Sequence, residues 1–296
     1  MADLSLIKKL REATGCGIAD CNKALAATND NLEEAIDWLR KKGLSSAAKK
    51  SGRVTSEGVV AVYVTDKKAS IIEVNSETDF VARNQKFQEF VSKISLEALA
   101  YGEDIAKLQS DKDEEVKQQI SVIGENINIR RISSLTVSQG AVVSYIHNSI
   151  ALNMGKIAVL VALESKASTE KLNEIGKQIA MHIAAAKPEA LDIESVDPSR
   201  LARETEVLKE QARASGKPES IIEKMIEGRI RKYYEEVVLL EQLFVMDDKI
   251  KIKDLVNSFA KENGDTKISG FKLFILGDGI EKKENDFAAE VASMTK

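Results

Sequence analysis

Along the first forty or so positions the apolar residues recur at the spacing of one helix face. Leu4, Ile7 and Leu10 share a face behind Asp3, a residue suited to capping, and Gly15 and Gly17 break the run. Ile18, Cys21 and Leu25 mark a second short helix. Asn31 stands three residues before Glu34, a capping-box-like arrangement, and opens a third helix with Leu32, Ala35, Ile36 and Leu39 inward and Gly43 as its stop. Helices this short need one another, so residues 1–44 are expected to form a three-helix module. The stretch from Ser45 to Arg53 is small, polar and basic without an apolar period, and 45–56 reads as a linker.

The period then changes from helical to extended. Val59-Val60-Ala61-Val62-Tyr63-Val64 and Ser70-Ile71-Ile72-Glu73-Val74 flank the polar turn Thr65-Asp66-Lys67-Lys68, the pattern of a hairpin. Phe87, Phe90, Val91, Ile94 and Ala98 return to helical spacing, Val116, Ile120 and Ile123 mark another helix, and Ile127 and Ile129 alternate with polar residues as in a half-buried strand. Residues 57–140 are therefore expected to be one core subdomain. The order repeats: Ala141-Val142-Val143-Ser144-Tyr145-Ile146 and Lys156 to Ala162 read as strands, with the helix stripe Leu172, Ile175, Ile179 and Ile183 behind them and Pro188 ending it.

From Pro198 to Glu236 the chain is rich in Arg, Lys, Glu and Ala, with thin apolar stripes broken at Ser215-Gly216-Lys217-Pro218. That pattern predicts an antiparallel coiled-coil hairpin inserted at 188–236, after which the strand-like run from Lys267 to Leu276 returns to the second sheet. The second core subdomain is then 141–187 together with 237–277. Asp286 caps a terminal helix carrying Phe287, Val291 and Met294, so 278–296 is expected as a C-terminal docking module. The whole is an α+β fold with two similar αβ core subdomains.

Composition narrows the function. Of 296 residues 43% are hydrophobic, enough for real cores, and Lys+Arg 43 against Asp+Glu 47 gives a net charge of −4 with no general drive toward nucleic acid or anionic membrane. A short basic linker without interleaved aromatics reads as a solvated tether, so no direct nucleic-acid contact is expected. No stretch approaches the ~20 apolar residues of a membrane span, and Met1 to Leu10 carries its charges within a helix pattern rather than as a signal peptide; a cytoplasmic protein is expected. Cys16 and Cys21 lie close together in one helical segment, away from His147 and His182, and read as buried apolar thiols. No nucleophile elbow, phosphate loop, dinucleotide fingerprint or metal-spaced cluster occurs, so the expectation is no catalytic residue, no metal, no cofactor and no enzyme.

What remains is a junction. Ile71-Ile72-Glu73-Val74-Asn75 runs into Ser76-Glu77-Thr78-Asp79-Phe80-Val81-Ala82, where an acid and a large aromatic stand side by side between strand and helix. Phe80 either fills its own core or is presented to something else.

Four strings in order carry a family resemblance: Thr14 to Leu25, Glu77 to Ala82, Gly124-Glu125-Asn126-Ile127-Asn128-Ile129-Arg130-Arg131, and Asp286-Phe287-Ala288-Ala289-Glu290. Together they resemble the elongation factor Ts family over nearly the whole chain. The resemblance implies a ubiquitin-associated-like first module and a guanine nucleotide exchange factor of translation elongation. Such a factor binds elongation factor Tu, GDP-bound and nucleotide-free, and promotes GDP release. It assigns partner binding to Thr78, Asp79, Phe80 and Val81, with the Phe80 ring wedged into the partner's GTPase domain to disturb Mg²⁺ and phosphate contacts. Ile18, Lys23, His147 and Phe287 are implied as further partner contacts. The chain departs from the family pattern at Ile18, Ala19 and Asn22, where many members carry a Met-Met pair and a lysine, and its apolar patch there is smaller. A homodimer through the coiled coil and a bacterial cytosol are further expectations. The competing class is an RNA-associated scaffold of the translation apparatus using the linker and the hairpin.

Overall fold

The computed structural model describes residues 3–213 and 219–280. The first helix, α1 (Leu4–Thr14), begins where the Asp3 carboxylate accepts the Ser5 N–H at 2.9 Å, and it ends at left-handed Gly15. It packs with α2 (Ile18–Ala27) and α3 (Leu32–Lys50) around Leu10, Cys21, Leu25 and Leu39, and both cysteines are free buried thiols. Asn31 caps α3, accepting from the Glu33 and Glu34 N–H groups and donating to the Glu34 carboxylate at 3.0 Å.

The third helix overruns its expected end. Gly43 does not stop it; the helix continues to Lys50, through the first half of the stretch expected as linker. The glycine answers a packing demand instead, since a Cβ on it would lie 2.7 Å from the Ser121 Oγ and 2.9 Å from the Ser121 Cβ. Ala47 on the added turns is buried in the first core, and Lys50 donates from Nζ to the Gly124 carbonyl at 2.6 Å, a cation at a helix C-terminus.

The core repeats one order of elements. β1 (Glu57–Val64) and β2 (Lys68–Ser76) form a hairpin closed by the Thr65 N–H on the Lys68 carbonyl; α4 (Asp79–Ala82), α5 (Gln85–Glu97) and α6 (Ile105–Ile123) follow, and β3 (Ile127–Thr136) pairs antiparallel with β2. The hairpin β4 (Gly140–Ala151) and β5 (Met154–Ser165) then leads into α7 (Thr169–Ala186). Two packed helices follow, α8 (Pro198–Arg213) and α9 (Glu219–Val237), and after them the short pair β6 (Leu243–Phe244) and β7 (Asp247–Lys251), then α10 (Ile252–Asn263). Finally β8 (Thr266–Ile275) pairs with β5, as β3 does with β2. Apart from the β6–β7 pair in the second, both units thus run strand, strand, helices, strand.

Six of the strands make one sheet of order β3-β2-β1-β5-β4, with β8 also on β5, and β6 and β7 pair separately. Its halves pair as strands where Val60 and Ala61 meet Gly155 and Met154, and the Val62 N–H adds a bond to the Asn153 carbonyl at 3.0 Å. Val59, Ala61, Ile72 and Val74 face Phe87, Phe90 and Ile94; Val159, Val161 and Leu163 face Leu172, Ile179 and Ile252. The opposite faces, Val60, Val62 and Ile71 of one half with Ala158, Leu160 and Ala162 of the other, close on each other as a third core. The central strands are therefore buried on both sides, which is why they read as continuous apolar runs rather than alternating ones.

At the root of α8 and α9, Ala190, Val196 and Val238 pack with Leu201, Tyr233, Tyr234 and Val237. Further out Leu208 and Ile222 are buried. The expected terminal helix with Asp286, Phe287, Val291 and Met294 lies outside the described residues.

One charged cluster is set deep in this sheet. Glu73 of β2 is fully buried and accepts from Arg130 Nη1 at 3.0 and 3.1 Å, Arg131 Nε at 2.6 Å, Asn75 Nδ2 at 3.0 Å and the Gly277 N–H at 2.9 Å. Burial pushes its carboxyl up, and the Gly277 and Asn75 hydrogen bonds with the Arg131 charge outweigh burial, leaving it below its ordinary value.

Replacing a glycine by alanine within an exposed helix ordinarily stabilises it by about 1 kcal/mol. Gly43→Ala is expected to do the reverse, lowering the melting temperature by an overpacking cost of roughly 1–3 kcal/mol. Ser121→Gly added to it should recover part of the loss; a higher melting temperature for Gly43→Ala alone would show that α6 yields freely.

Candidate partner-binding site

The turn between β2 and α4 is fixed from three directions. The main-chain ladder of β2 and β3 ends at Ser76 opposite Ile127. Beyond it the Glu77 carboxylate accepts the Asn126 N–H at 2.6 Å, and the Glu125 carboxylate accepts the Thr78 N–H at 2.9 Å and the Thr78 hydroxyl at 2.7 Å. Below, Val81 and Ala82 enter the first core beside Phe87. On the far side Gln88 Nε2 donates to the Ala82 carbonyl at 2.9 Å, and Asn84 caps α5 by accepting from Lys86 and Phe87.

Successive helical residues diverge by about 100°. With Val81 turned into the core, Phe80 points out, and it is 80% exposed with Asp79 exposed beside it. The alternative left open by the sequence is thereby decided: Phe80 is not a core side chain.

Of the other expected contacts, Ile18 opens α2 at 58% exposure and Lys23 is exposed on the same helix. The loop before them is tied to the start of α5, where Lys86 donates from Nζ to the Gly15 carbonyl at 2.9 Å. His147 is exposed on β4 in the other half of the sheet, its Nδ1 3.1 Å from the Tyr145 hydroxyl, and no contact ties it to Phe80. Phe287 lies outside the described residues.

A second apolar surface escaped the sequence reading. Leu243, Val245 and Met246, at the β6–β7 turn, are each 51% exposed. Their signal was the run Leu243-Phe244-Val245-Met246 ending abruptly at Asp247-Asp248, which resembles any short core strand. The turn rests on His182 of α7, a wholly buried imidazole whose Nδ1 accepts the Val245 N–H at 3.3 Å and whose Nε2 lies 2.9 Å from the Gln242 Oε1. The Val245 donor requires a lone pair on Nδ1, so the proton sits on Nε2 and goes to Gln242. Burial holds this group below the usual imidazole value despite the Gln242 hydrogen bond.

Among the described residues no group of three or more His, Cys, Asp or Glu side chains could hold a metal ion, and no helix is long and apolar enough to cross a membrane. An aromatic side chain held out of its own core on a braced turn, with further apolar surface on separate elements, is the kind of surface a protein-binding factor presents. A model of the family described as Elongation factor TS matches residues 77–278. Among similar proteins, elongation factor Ts of Rhodospirillum centenum is 57% identical over 99% of both chains. That of Paramagnetospirillum magneticum is 53% identical over 98% of this chain and 96% of its own, and that of Gluconobacter oxydans 51% identical over 99% and 98%. The chain belongs to the elongation factor Ts family. It is an elongation factor of protein biosynthesis, and its class exchanges guanine nucleotide rather than catalysing a chemical reaction.

Because the folded His182 binds its proton more weakly than the unfolded chain does, its contribution to stability is complete above the ordinary imidazole value of 6.5 and declines as pH falls below it. The slope is at most about 1.4 kcal/mol per pH unit. Melting temperatures from pH 7.5 down to 5 are expected to fall more steeply for the native chain than for His182→Asn; parallel curves would show that His182 is not held neutral.

Proposed function

We propose that this chain is the nucleotide exchange factor for elongation factor Tu, and that Phe80 is the group that acts. The observation carrying this reading is the 80% exposure of a phenylalanine whose neighbours Thr78, Val81 and Ala82 are all bonded or buried. An exchange factor need not touch GDP. It binds its partner best in the form that holds nucleotide badly, and by linkage nucleotide and factor weaken each other. Phe80 enters the GTPase domain of the partner, Asp79 assists beside it, and the intrusion disturbs the contacts to Mg²⁺ and phosphate. Burying one phenylalanine supplies ~1.5–3 kcal/mol, a fraction of what releases a tight nucleotide. The remaining contact area comes from Ile18 and Lys23 on the ubiquitin-associated-like module, from His147, from the β6–β7 turn, and from the C-terminal segment with Phe287.

In this reading α8 and α9 form a coiled-coil arm inserted into the second core unit. It takes part in self-association, since Val207 and Ile221 remain exposed on it, and exchange proceeds in the cytoplasm.

The test is release of fluorescent GDP from elongation factor Tu under catalytic amounts of the chain. Phe80→Ala is expected to slow stimulated release about ten- to a hundredfold, from the transfer energy of one aromatic ring, with the melting temperature unchanged because the ring is outside the core. Equal stimulation by the native and Phe80→Ala chains would sink the wedge.

A further inference from the structure

Where β2 leaves the sheet, main-chain pairing stops but the strand edges stay saturated. Two acids do this reciprocally: Glu77 on one strand accepts the Asn126 N–H of the other, and Glu125 accepts the Thr78 N–H in return. Side-chain carboxylates replace main-chain carbonyls and extend the β2–β3 contact past its last pair.

This has a consequence for α4. A threonine at a helix N-cap ordinarily turns its oxygen toward the first helical N–H groups. Thr78 makes no such bond, and its hydroxyl is instead turned to Glu125, donating to the Oε1. A helix of four residues cannot hold itself together, and this one begins uncapped. The direction in which Phe80 leaves it therefore depends on the strand opposite, through Glu125. The anchor is braced in turn, since Arg53 pairs with Glu77 at 3.2 Å and Asn126 Nδ2 donates to the Arg53 carbonyl at 2.9 Å.

We propose that Glu125 is a positioning residue for nucleotide exchange: its half-buried carboxylate, bonded twice to Thr78, aims the Phe80 ring. This rests on Phe80 being the acting group. It assigns Glu125 a part in the efficiency of exchange, acting through Thr78 and without any role for the acid as a proton donor or nucleotide contact. Thr78 then contributes as the member that receives the aim rather than as a capping residue.

The experiment compares the native chain, Glu125→Ala, Glu125→Gln, Phe80→Ala and the double variant Glu125→Ala/Phe80→Ala. For each, the maximal rate of GDP release from elongation factor Tu and the factor concentration at half-maximum are measured, with hydrogen exchange at the Thr78 amide. Glu125→Ala is expected to lower the maximal rate about tenfold, the scale of losing charge-assisted hydrogen bonds, and to speed exchange at the Thr78 amide. Glu125→Gln should fall between, since an amide oxygen still accepts the Thr78 N–H while its nitrogen cannot accept from the hydroxyl. In the Phe80→Ala chain, Glu125→Ala should bring no further loss. A loss of the same factor in both backgrounds overturns the proposal, as does an unchanged rate for Glu125→Ala in the native background or a lowered rate with the Thr78 amide unaltered. Failure of the underlying reading would look different: Phe80→Ala alone would then stimulate release as the native chain does.

Discussion

The buried carboxylate of Glu73 is the constraint on which the arrangement of this molecule depends. A charge removed from water is tolerated only when its oxygens are fully bonded, and here five donor contacts from Arg130, Arg131, Asn75 and Gly277 converge on it. Two adjacent residues of a regular strand face opposite sides of the sheet. The register of β2 and β3 shifts between Glu73 and Val74, with Glu73 opposite Arg131 and Val74 opposite Ile129, so Arg130 is the extra residue of a bulge. The bulge is what lets consecutive arginines reach one acid. From there Arg131 Nη2 donates to the Ile275 carbonyl at 2.8 Å and Arg130 to the Asp278 carbonyl. A single cluster therefore sets the register of the first unit and the path of the chain as it leaves the second. Removing one partner would leave a buried charge uncompensated, a far larger loss than that of an exposed ion pair such as Arg40–Glu114.

The register set at Glu73 runs along β2 to Ser76, and the presentation of Phe80 inherits it. Had the bulge been absent, Ser76 would face a different residue, and neither Glu77 nor Glu125 would meet the opposite N–H. Core and surface are linked in the same way within α4. The burial of Val81 and Ala82 holds the turn down, and the helical rotation between neighbours then puts Phe80 outside. An exposed aromatic on a free loop would be an aggregation liability; here its exposure follows from the burial of its neighbours.

Much of the fold could be read from local pattern. The strands around 59–64, 70–74 and 156–162 and the helix stripes at Phe87–Ile94 and Leu172–Ile183 announce themselves because each period lies within a few residues. What the pattern missed lies in pairs distant along the chain. Gly43 carries the composition of a helix stop, and only the approach of Ser121 explains why it sits inside a helix. The Glu73 cluster, the Glu77–Asn126 and Glu125–Thr78 exchange, and the seat of Val245 on His182 are likewise contacts between separate elements, invisible to any window. At the site, the acid-aromatic junction was legible as a candidate, yet its sequence alone left Phe80 equally suited to a core. The β6–β7 surface was overlooked because an apolar run at a turn has the same letters as one in a sheet.

Rigidity is what converts an exposed ring into a device that can act on another protein. A ligand shifts an equilibrium only by its difference in affinity between two states, and any free energy used to order a floppy side chain on binding is lost to that difference. A phenylalanine on a mobile loop would bind either state of its partner by adapting to it, and would couple weakly. Under the proposed function, one aimed by a strand end, an acid pair and a buried Val-Ala step would fit the state that makes room for it and clash with the state that does not. In that proposal the same transfer energy would appear as discrimination between nucleotide-bound and nucleotide-free forms instead of as affinity for both. The deep ionic cluster and the short uncapped helix are thus parts of one arrangement. The first fixes where the strands end, and the second, unable to fix its own direction, takes it from them.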